Sequence, residues 1–358
     1  MQKLGQKFEL VTIAGNRPEL IKLSELVRLL ANRDYKNGFI YTGQHYSGNM
    51  KDIFLDELRL EFDYDLKIGT SDVGVLREAI TKHLRSISPE FAIIYGDTNS
   101  TLAGALAAKD ANCKVIHIEA GLRSFDLTRA EERNRMIIDA LSDYHLAPTD
   151  LNRIFLKYER PESNPYVTGN LIVDVCRKFS EANIRVADNF PSKFVLLTVH
   201  RQESVDDPDL LRHLSHLLSQ IRYDVVYPIH PRTKKNLAKY NIQLPPNVIG
   251  IDAVGYKEFI ALLKKCIIVI TDSGGVQEEA VVLKRPCITL SNSTERQETL
   301  LIKANKLYFP IDPKQQKKNI NDVIEEMLSS KITLNPYGEN VTQRSVQAIN
   351  DIIQGETV

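Results

Sequence analysis

A glycine turn and three acidic positions are the places where this sequence can do chemistry. The stretch Cys266-Ile267-Ile268-Val269-Ile270-Thr271-Asp272-Ser273-Gly274-Gly275-Val276-Gln277-Glu278-Glu279 begins with an apolar β-branched run, Ile267 to Ile270, that reads as a buried parallel strand. Gly274 and Gly275 let the backbone turn and approach a ligand, and Val276 to Leu283 reads as a helix. Strand, glycine turn and helix N-terminus present free N–H groups and a positive dipole end, which suits a diphosphate without a metal. Glu279, one turn in, could reach the two hydroxyls of a ribose attached to that diphosphate. The competing reading is an ordinary βα turn with Ser273 as its N-cap.

The acids lie in the other half of the chain. Phe91–Tyr95 reads as a strand ending in Gly96-Asp97, Val115–Ile118 as one ending in Glu119-Ala120-Gly121, and Glu131-Glu132 open a helix running through Arg135, Ile138 and Leu141. Taken singly, Asp97 reads as a helix cap and Glu131-Glu132 as helix-start chemistry. Three acids converging on one sheet edge is more than capping requires. Arg17, in Gly15-Asn16-Arg17-Pro18-Glu19, follows the first strand, Phe8–Ile13, and Lys22 lies one to two turns into the next helix, Leu20–Leu30. Ligands of open α/β sheets bind outside such strand ends; a surface arginine beside a solvated cap is the alternative. The turn lacks the spacing of a dinucleotide fingerprint, which argues against nicotinamide cofactors.

The elements that must position these residues alternate. Strand Gly38–Thr42 is broken by Gly43-Gln44-His45-Tyr46, and helical patterns cover Met50–Leu58, Val73–Ile87, Leu102–Lys109 and Leu171–Ala182, with short strands at Tyr144–Ala147 and Tyr166–Val167. A second series starts at Phe194–Val199, which ends in His200-Arg201-Gln202-Glu203, and continues through Leu210–Ile221, Val225–Ile229 (ending in His230-Pro231), Val248–Ile251 and Tyr256–Leu263. Cys287–Leu290 and Leu307–Pro310 are its last strands, Ile320–Leu328 and Val341–Ile353 its last helices. This alternation predicts an α/β fold of two Rossmann-like, doubly wound domains facing a cleft. The N-terminal domain is expected over residues 1–182 and the C-terminal domain over 192–335, with a linker near Ala182–Pro191. Residues 336–358 hold a final helix expected to cross back to the first domain.

The 358 residues suffice for two domains of ordinary size. Lys+Arg and Asp+Glu are both 46, so charge gives no reason to expect nucleic acid or a membrane surface. The four cysteines, Cys113, Cys176, Cys266 and Cys287, make no zinc-like pair spacing, which suits a reduced, cytoplasmic setting with no metal. No apolar run is long enough to span a bilayer, and Met1–Lys7 has no apolar signal core.

The motifs in order now define a resemblance. Gly15-Asn16-Arg17-Pro18-Glu19 with Lys22, Thr42-Gly43-Gln44-His45, Gly96-Asp97-Thr98, Glu119-Ala120-Gly121-Leu122-Arg123, Glu131-Glu132-x-Asn134-Arg135 and Thr168-Gly169-Asn170 are followed by a second group. That group is His200-Arg201-x-Glu203, Thr271 to Glu279, Thr294-Glu295-Arg296 and Asn335-Pro336-Tyr337-Gly338. Over nearly its whole length the chain resembles the non-hydrolysing UDP-N-acetylglucosamine 2-epimerases. The resemblance implies the GT-B-like two-domain fold, a UDP-sugar substrate, no cofactor, a homodimer, and a role in cell-surface polysaccharide or glycan precursor synthesis. It implies inversion of carbon 2 by elimination of UDP to a 2-acetamidoglucal and re-addition. Asp97, Glu119 and Glu131 would then be the acid/base set, assisted by His200. Arg17, His200, Ser273, Gly274 and Gly275 would hold the diphosphate end, Lys22 would neutralise the carboxylates, Glu279 would hold the ribose, and Arg296 would orient the uridine and sugar side. Control by substrate at a second site would fall to Gln44, His45 and Arg201, with His230 beside them.

The chain departs from the family pattern at Asn16, where threonine is usual, and at Ala130 and Gln297, where proline is usual. It departs again at Ser291-Asn292, where an Arg-Asp pair is common. The changes at Gln297 and Ser291-Asn292 fall beside the expected diphosphate end and bear on which UDP-2-acetamido sugar is used; a diacetamido uronic acid and 6-deoxy sugars are the alternatives. A GT-B glycosyltransferase, a hydrolysing epimerase and a non-catalytic UDP-sugar sensor are the rival readings, and three carboxylates beside an anionic ligand speak against the sensor.

Overall fold

The computed structural model describes residues 8–33, 35–43, 60–182, 184, 189–309 and 319–355. Strands β1 (Leu10–Ala14), β2 (Asn37–Tyr41), β3 (Tyr64–Asp65), β4 (Phe91–Tyr95), β5 (Lys114–Ile118), β6 (Tyr144–Ala147) and β7 (Tyr166–Val167) form one parallel sheet. Its order is β3-β2-β1-β4-β5-β6-β7. A second parallel sheet, ordered β10-β9-β8-β11-β12-β13, comprises β8 (Phe194–Thr198), β9 (Asp224–Ile229), β10 (Val248–Asp252), β11 (Ile268–Thr271), β12 (Cys287–Thr289) and β13 (Asn305–Leu307). Two parallel-sheet α/β domains, as the alternation predicts, are therefore present. The chain divides into two compact units, Met1–Val175 with Tyr337–Val358, and Cys176–Pro336.

The helices are α1 (Arg17–Leu30), α2 (Val73–Ile87), α3 (Asn99–Asp110), α4 (Ala130–Leu141), α5 (Asp150–Glu159), α6 (Ile172–Ser180), α7 (Gln202–Val205) and α8 (Pro208–Gln220). They continue with α9 (Pro231–Lys239), α10 (Tyr256–Lys265), α11 (Gly274–Val282), α12 (Gln297–Leu301), α13 (Ile320–Ser329) and α14 (Val341–Gln354). Strands such as Leu-Val-Thr-Ile-Ala and Phe-Ala-Ile-Ile-Tyr are buried along their whole length, because a doubly wound sheet is covered on both faces. In the second unit alternate residues of β8 and β11 point opposite ways. Val195, Leu197 and Ile270 meet Leu211, Leu214 and Leu218 of α8, while Phe194, Leu196 and Val269 meet Leu262 and Leu263 of α10 and Val276 and Ala280 of α11. In the first unit Val11, Ile13, Ala92 and Ile94 pack with Leu76, Ile80 and Leu84 of α2 and with Leu102 and Ala105 of α3. Each fully buried side chain of this kind contributes about 1.5–3 kcal/mol.

The last helix belongs to the first unit. α14 packs on α1, Tyr35 Oη donates to Asn350 Oδ1 at 3.0 Å, the Thr342 N–H donates to Asp174 Oδ2 at 2.7 Å, and Arg344 Nη2 donates to the Val167 carbonyl at 2.6 Å. Both sheets reverse direction at one place, between β1 and β4 and between β8 and β11. At such switch points the carboxyl ends of neighbouring strands open a crevice for ligands. The sequence pattern does not mark α5, α7, α9, α12 or β3, and it starts the last strand at Leu307 instead of Asn305. The expected helix Met50–Leu58 lies outside the described residues, as do Gln44 and His45.

Candidate active site

At the first switch point β1 runs into α1 through Gly15-Asn16. A Cβ on Gly15 would overlap the Ser100 side chain of α3, so only glycine lets the turn sit this close. Asn16 caps α1, its side-chain oxygen accepting the Glu19 N–H at 3.0 Å, and Pro18 lies in the first turn where its missing N–H costs nothing. Glu19 reaches back: its carboxylate accepts the Gly15 N–H at 2.6 Å, Asn16 Nδ2 at 3.0 Å and Thr98 Oγ1 at 2.7 Å. Burial pushes Glu19 up to about 7 against the hydrogen bonds from Thr98 and Gly15. This carboxyl therefore ties the β1 turn to the β4 turn. Arg17, half-buried at the first position of α1, is beside it.

The two strand-end acids stand on adjacent strands, Tyr95 of β4 being in register with Ile118 of β5. Asp97 is not a cap, since Thr98 is the N-cap of α3 and its hydroxyl accepts the Thr101 N–H. The Asp97 carboxylate instead pairs with Arg135 Nη1 from α4. Glu119 is buried, and its Oε1 accepts Lys22 Nζ at 2.9 Å and Asn170 Nδ2 at 3.3 Å. Lys22 is buried as well and lies 5.4 Å over the Tyr95 ring. Glu119 has φ +75°, a left-handed conformation that costs a non-glycine residue on the order of 1–3 kcal/mol and that clusters at functional sites.

The paired glutamates of α4 part company. Glu132 is buried and accepts the Ser124 and Phe125 N–H groups, each at 2.9 Å, and Arg135 Nη2 at 2.7 Å. Burial would raise its carboxyl, but the Ser124 N–H, Arg135 and the Phe125 N–H hold it below the ordinary carboxylate value. Glu131 is exposed on the first turn, and the bond from α4 to Asp97 comes from Arg135.

At the second switch point Asp272 is buried between two turns. Its carboxylate accepts the His200 N–H at 3.0 Å and the Arg201 N–H at 2.8 Å, holding the end of β8 against the end of β11. The His200 ring is partly exposed and stacks on His230 at 5.6 Å. Ser273 occupies the N-cap position of α11, yet its hydroxyl makes no capping bond, so the first N–H groups of the helix are not closed off by it. Here the structure differs from the sequence reading. Gly274 and Gly275 are the first two helical residues, and Asp272-Ser273 makes the turn. Gly274 lies close against Glu295, whose carboxylate would have to move to admit a Cβ there, whereas one on Gly275 would meet nothing nearer than Ser273 Oγ at 4.0 Å. Behind the turn Arg296 forms a buried ion pair with Glu278, and Gln277 Oε1 accepts Thr294 Oγ1 at 2.7 Å and Asn305 Nδ2 at 2.9 Å. Glu279 is buried one turn further, beside Tyr256, whose phenol burial and the Glu279 charge push well up.

Thus Lys22, Glu119 and Asp97 gather at one switch point with Arg17. His200, Ser273, Gly274 and Gly275 gather at the other, with Arg201, Arg296 and Glu279 around them. Sequence reasoning overlooked Glu19, Asn170, Arg135 and Asp272 as site residues, although each lay within a quoted motif. The four cysteines are buried, and burial pushes the Cys113 thiol up to about 11 and the Cys266 and Cys287 thiols to about 12, which leaves no activated thiolate. Among the described residues no group of three His, Cys, Asp or Glu side chains could hold a metal ion, and no helix is long and apolar enough to cross a membrane.

Two parallel sheets of like strand order, each with polar residues collected at its switch point, define a protein of the Rossmann-like, GT-B-like class. Comparison with known proteins narrows this. The family model described as UDP-N-acetylglucosamine 2-epimerase matches residues 28–352, and the chain belongs to that family. The UDP-N-acetylglucosamine 2-epimerase of Methanocaldococcus jannaschii is 41% identical over 354 residues, covering 92% of this chain and 95% of the relative. The solved structure of a Methanocaldococcus jannaschii UDP-GlcNAc 2-epimerase in complex with UDP-GlcNAc and UDP superposes with a TM-score of 0.86 at 38% identity, covering 96% of this chain and 99% of that one. The UDP-2,3-diacetamido-2,3-dideoxy-D-glucuronate 2-epimerase of Pseudomonas aeruginosa is 36% identical over 313 residues, covering 84% of this chain and 88% of the relative.

Proposed function

We propose that this chain is a non-hydrolysing UDP-N-acetylglucosamine 2-epimerase that interconverts UDP-N-acetylglucosamine and UDP-N-acetylmannosamine. The observation that carries the reading is the pairing of Lys22 with Glu119 and of Arg135 with Asp97 on adjacent strand ends. Carbon 2 of the sugar bears a hydrogen that is not acidic in the ground state. Cleavage of the C1–O bond sends its electron pair out with UDP and leaves oxocarbenium character at C1. A carboxylate then takes the C2 proton, and the C–H pair becomes the double bond of a 2-acetamidoglucal. Return of a proton to the other face of C2, with attack of the UDP oxygen at C1, completes the inversion.

In this reading Asp97, Glu119 and Glu131 move the proton and steady positive charge, and Lys22 offsets their negative charge. Arg17, His200, Ser273, Gly274 and Gly275 meet the diphosphate, as the uncapped start of α11 supports. Glu279 takes the ribose and Arg296 the uridine and sugar side. The buried, free cysteines support a cytoplasmic setting.

A second substrate reading has a specific basis. Ser291 and Asn292 replace the family's common Arg-Asp pair, and a relative of 36% identity is named for a diacetamido uronate. A panel of UDP-2-acetamido sugars, followed by NMR for the C2 epimer, separates the two. UDP-N-acetylglucosamine should be converted to UDP-N-acetylmannosamine. Conversion of only a uronate or a 6-deoxy sugar would overturn the substrate assignment, and release of free N-acetylmannosamine with stoichiometric UDP would overturn the non-hydrolysing one.

A further inference from the structure

Beneath the two strand-end acids lies a polar pair that the reaction above does not use. His117 is in the middle of β5 between Ile116 and Ile118, fully buried, and in register with Ile94 and His145 of the neighbouring strands. An apolar side chain would pack there at less desolvation cost. Its Nε2 is 2.9 Å from the Gly96 carbonyl and its Nδ1 is 2.7 Å from Asp139 Oδ1 on α4. Both partners offer acceptor oxygens, so the ring is held between the Gly96 turn and α4 through its two nitrogens. Asp139 is buried too, and its Oδ2 accepts the Gly121 N–H at 3.1 Å and Arg123 Nη1 at 2.8 Å.

We propose that His117 and Asp139 are a positioning pair for the acids of the reaction, the ring fixing the Gly96-Asp97 turn and the carboxylate fixing the Glu119-Ala120-Gly121 turn on one helix. The proposal rests on the reading of Asp97 and Glu119 given above. Both turns pass through the left-handed region, at φ +73° for Gly96, +75° for Glu119 and +81° for Gly121; the glycines leave the backbone free to move and Glu119 is strained there, so each turn gains from being held. The Gly96 peptide is held on both sides by β5, its N–H donating to the Ile118 carbonyl at 3.1 Å while its own carbonyl accepts from His117. Gly121 cannot shift toward α5, since a Cβ there would already overlap the Asn152 carbonyl. Asp139 sits on the same helix as Arg135, which pairs with Asp97. One helix thus sets the distance between the two acids through three connections: Arg135 to Asp97, Asp139 through His117 to Gly96, and Asp139 to Gly121. The charged and titratable groups around the pair are Arg123, with Glu159 behind it, His145, whose Nε2 meets the Asp139 carbonyl, and Arg160. Burial would raise the Asp139 carboxyl, but the His117 and Arg123 partners hold it down at about 2, so the carboxylate stays charged through the working pH range.

The test uses the full-length enzyme. His117→Asn keeps a donor near the Nδ1 position and loses the bond to the Gly96 carbonyl; His117→Gln keeps a donor near the Nε2 position. Turnover and KM with UDP-N-acetylglucosamine, UDP affinity by calorimetry and thermal melting are measured for both, beside Asp97→Asn and Glu119→Gln. His117→Asn should lose ~10- to 100-fold in kcat, the scale of a misplaced reacting group. Its KM and UDP affinity should stay within about threefold, and His117→Gln should recover most of the lost turnover. If His117→Asn does not fold, Asp139→Asn is read in the same way. Folded variants with lower melting temperature and unchanged kcat would overturn the positioning role. If instead Asp97→Asn and Glu119→Gln keep their turnover, the reading of the acids has failed, a result distinct from failure of the pair.

Discussion

Asp97 shows most plainly what one residue's partners decide. From sequence it was as good a helix cap as Thr98, because both are cap-forming types one position apart. The structure gives the cap to Thr98 and pairs Asp97 with Arg135. Glu131 and Glu132 were likewise indistinguishable, and the fold buries Glu132 against Ser124, Phe125 and Arg135 while leaving Glu131 exposed. Which of two neighbours faces inward depends on the helix's rotation against the loop it meets, which spacing alone does not specify. Asp97→Asn, Glu119→Gln and Glu131→Gln should each lower kcat by about 10² to 10⁴, the range for positioned acids and bases. Glu131→Gln is the informative one. As a helix-start residue it would change stability by only a few tenths of a kcal/mol to about 1 kcal/mol and leave turnover alone, so steady-state kinetics with a melting curve distinguishes the two roles.

The elements were legible where their buried faces are continuous and illegible where they are not. α5 buries only Asn152 and Leu156 and leaves Ile154 and Tyr158 exposed, so its apolar residues do not trace a core-facing stripe. α9 is a charged segment burying Thr233 and Leu237, started by His230 and Pro231. Three departures from the family pattern fall at helix starts, where their cost is small. Asn16 is the N-cap of α1, and Ala130 and Gln297 are first residues of α4 and α12, a position where proline is favoured and not required. The turn between β1 and α1 carries a pH signature. Glu19 is raised to about 7 by burial, above its ordinary value, so the folded state binds its proton more tightly than the unfolded chain does. Its contribution to stability is complete below the ordinary carboxylate range and is lost as pH rises through about 7. Denaturant curves of the wild type and Glu19→Gln should therefore diverge between about pH 5 and 8, the wild type losing ground as pH rises. A constant difference across that window would contradict the assignment.

At the scale of the whole chain, the strand and helix alternation foretold two doubly wound domains. It said nothing of strand order, which depends on which crossovers pass to which side of the sheet. That order is what brings Lys22 to Glu119 and His200 to Asp272, residues far apart in the chain. The homodimer expected from the family resemblance remains our proposal. It is supported by exposed apolar residues of the first unit, with Phe125 and Leu127 before α4, Met136 and Ile137 on it, Ile154 and Tyr158 on α5, and Phe125 packed edge-on to Phe155 at 5.3 Å. Light scattering should give the mass of two chains for the wild type and of one for Ile137→Glu; a monomeric wild type, or a dimer indifferent to that charge, would contradict it. The central claim is that the C2 proton leaves and returns through the acids of the first unit. Epimerisation run in deuterated water tests it most directly. Solvent deuterium should appear at carbon 2 of both UDP-N-acetylglucosamine and UDP-N-acetylmannosamine as they equilibrate, and epimers that keep all of their original hydrogen there would contradict it.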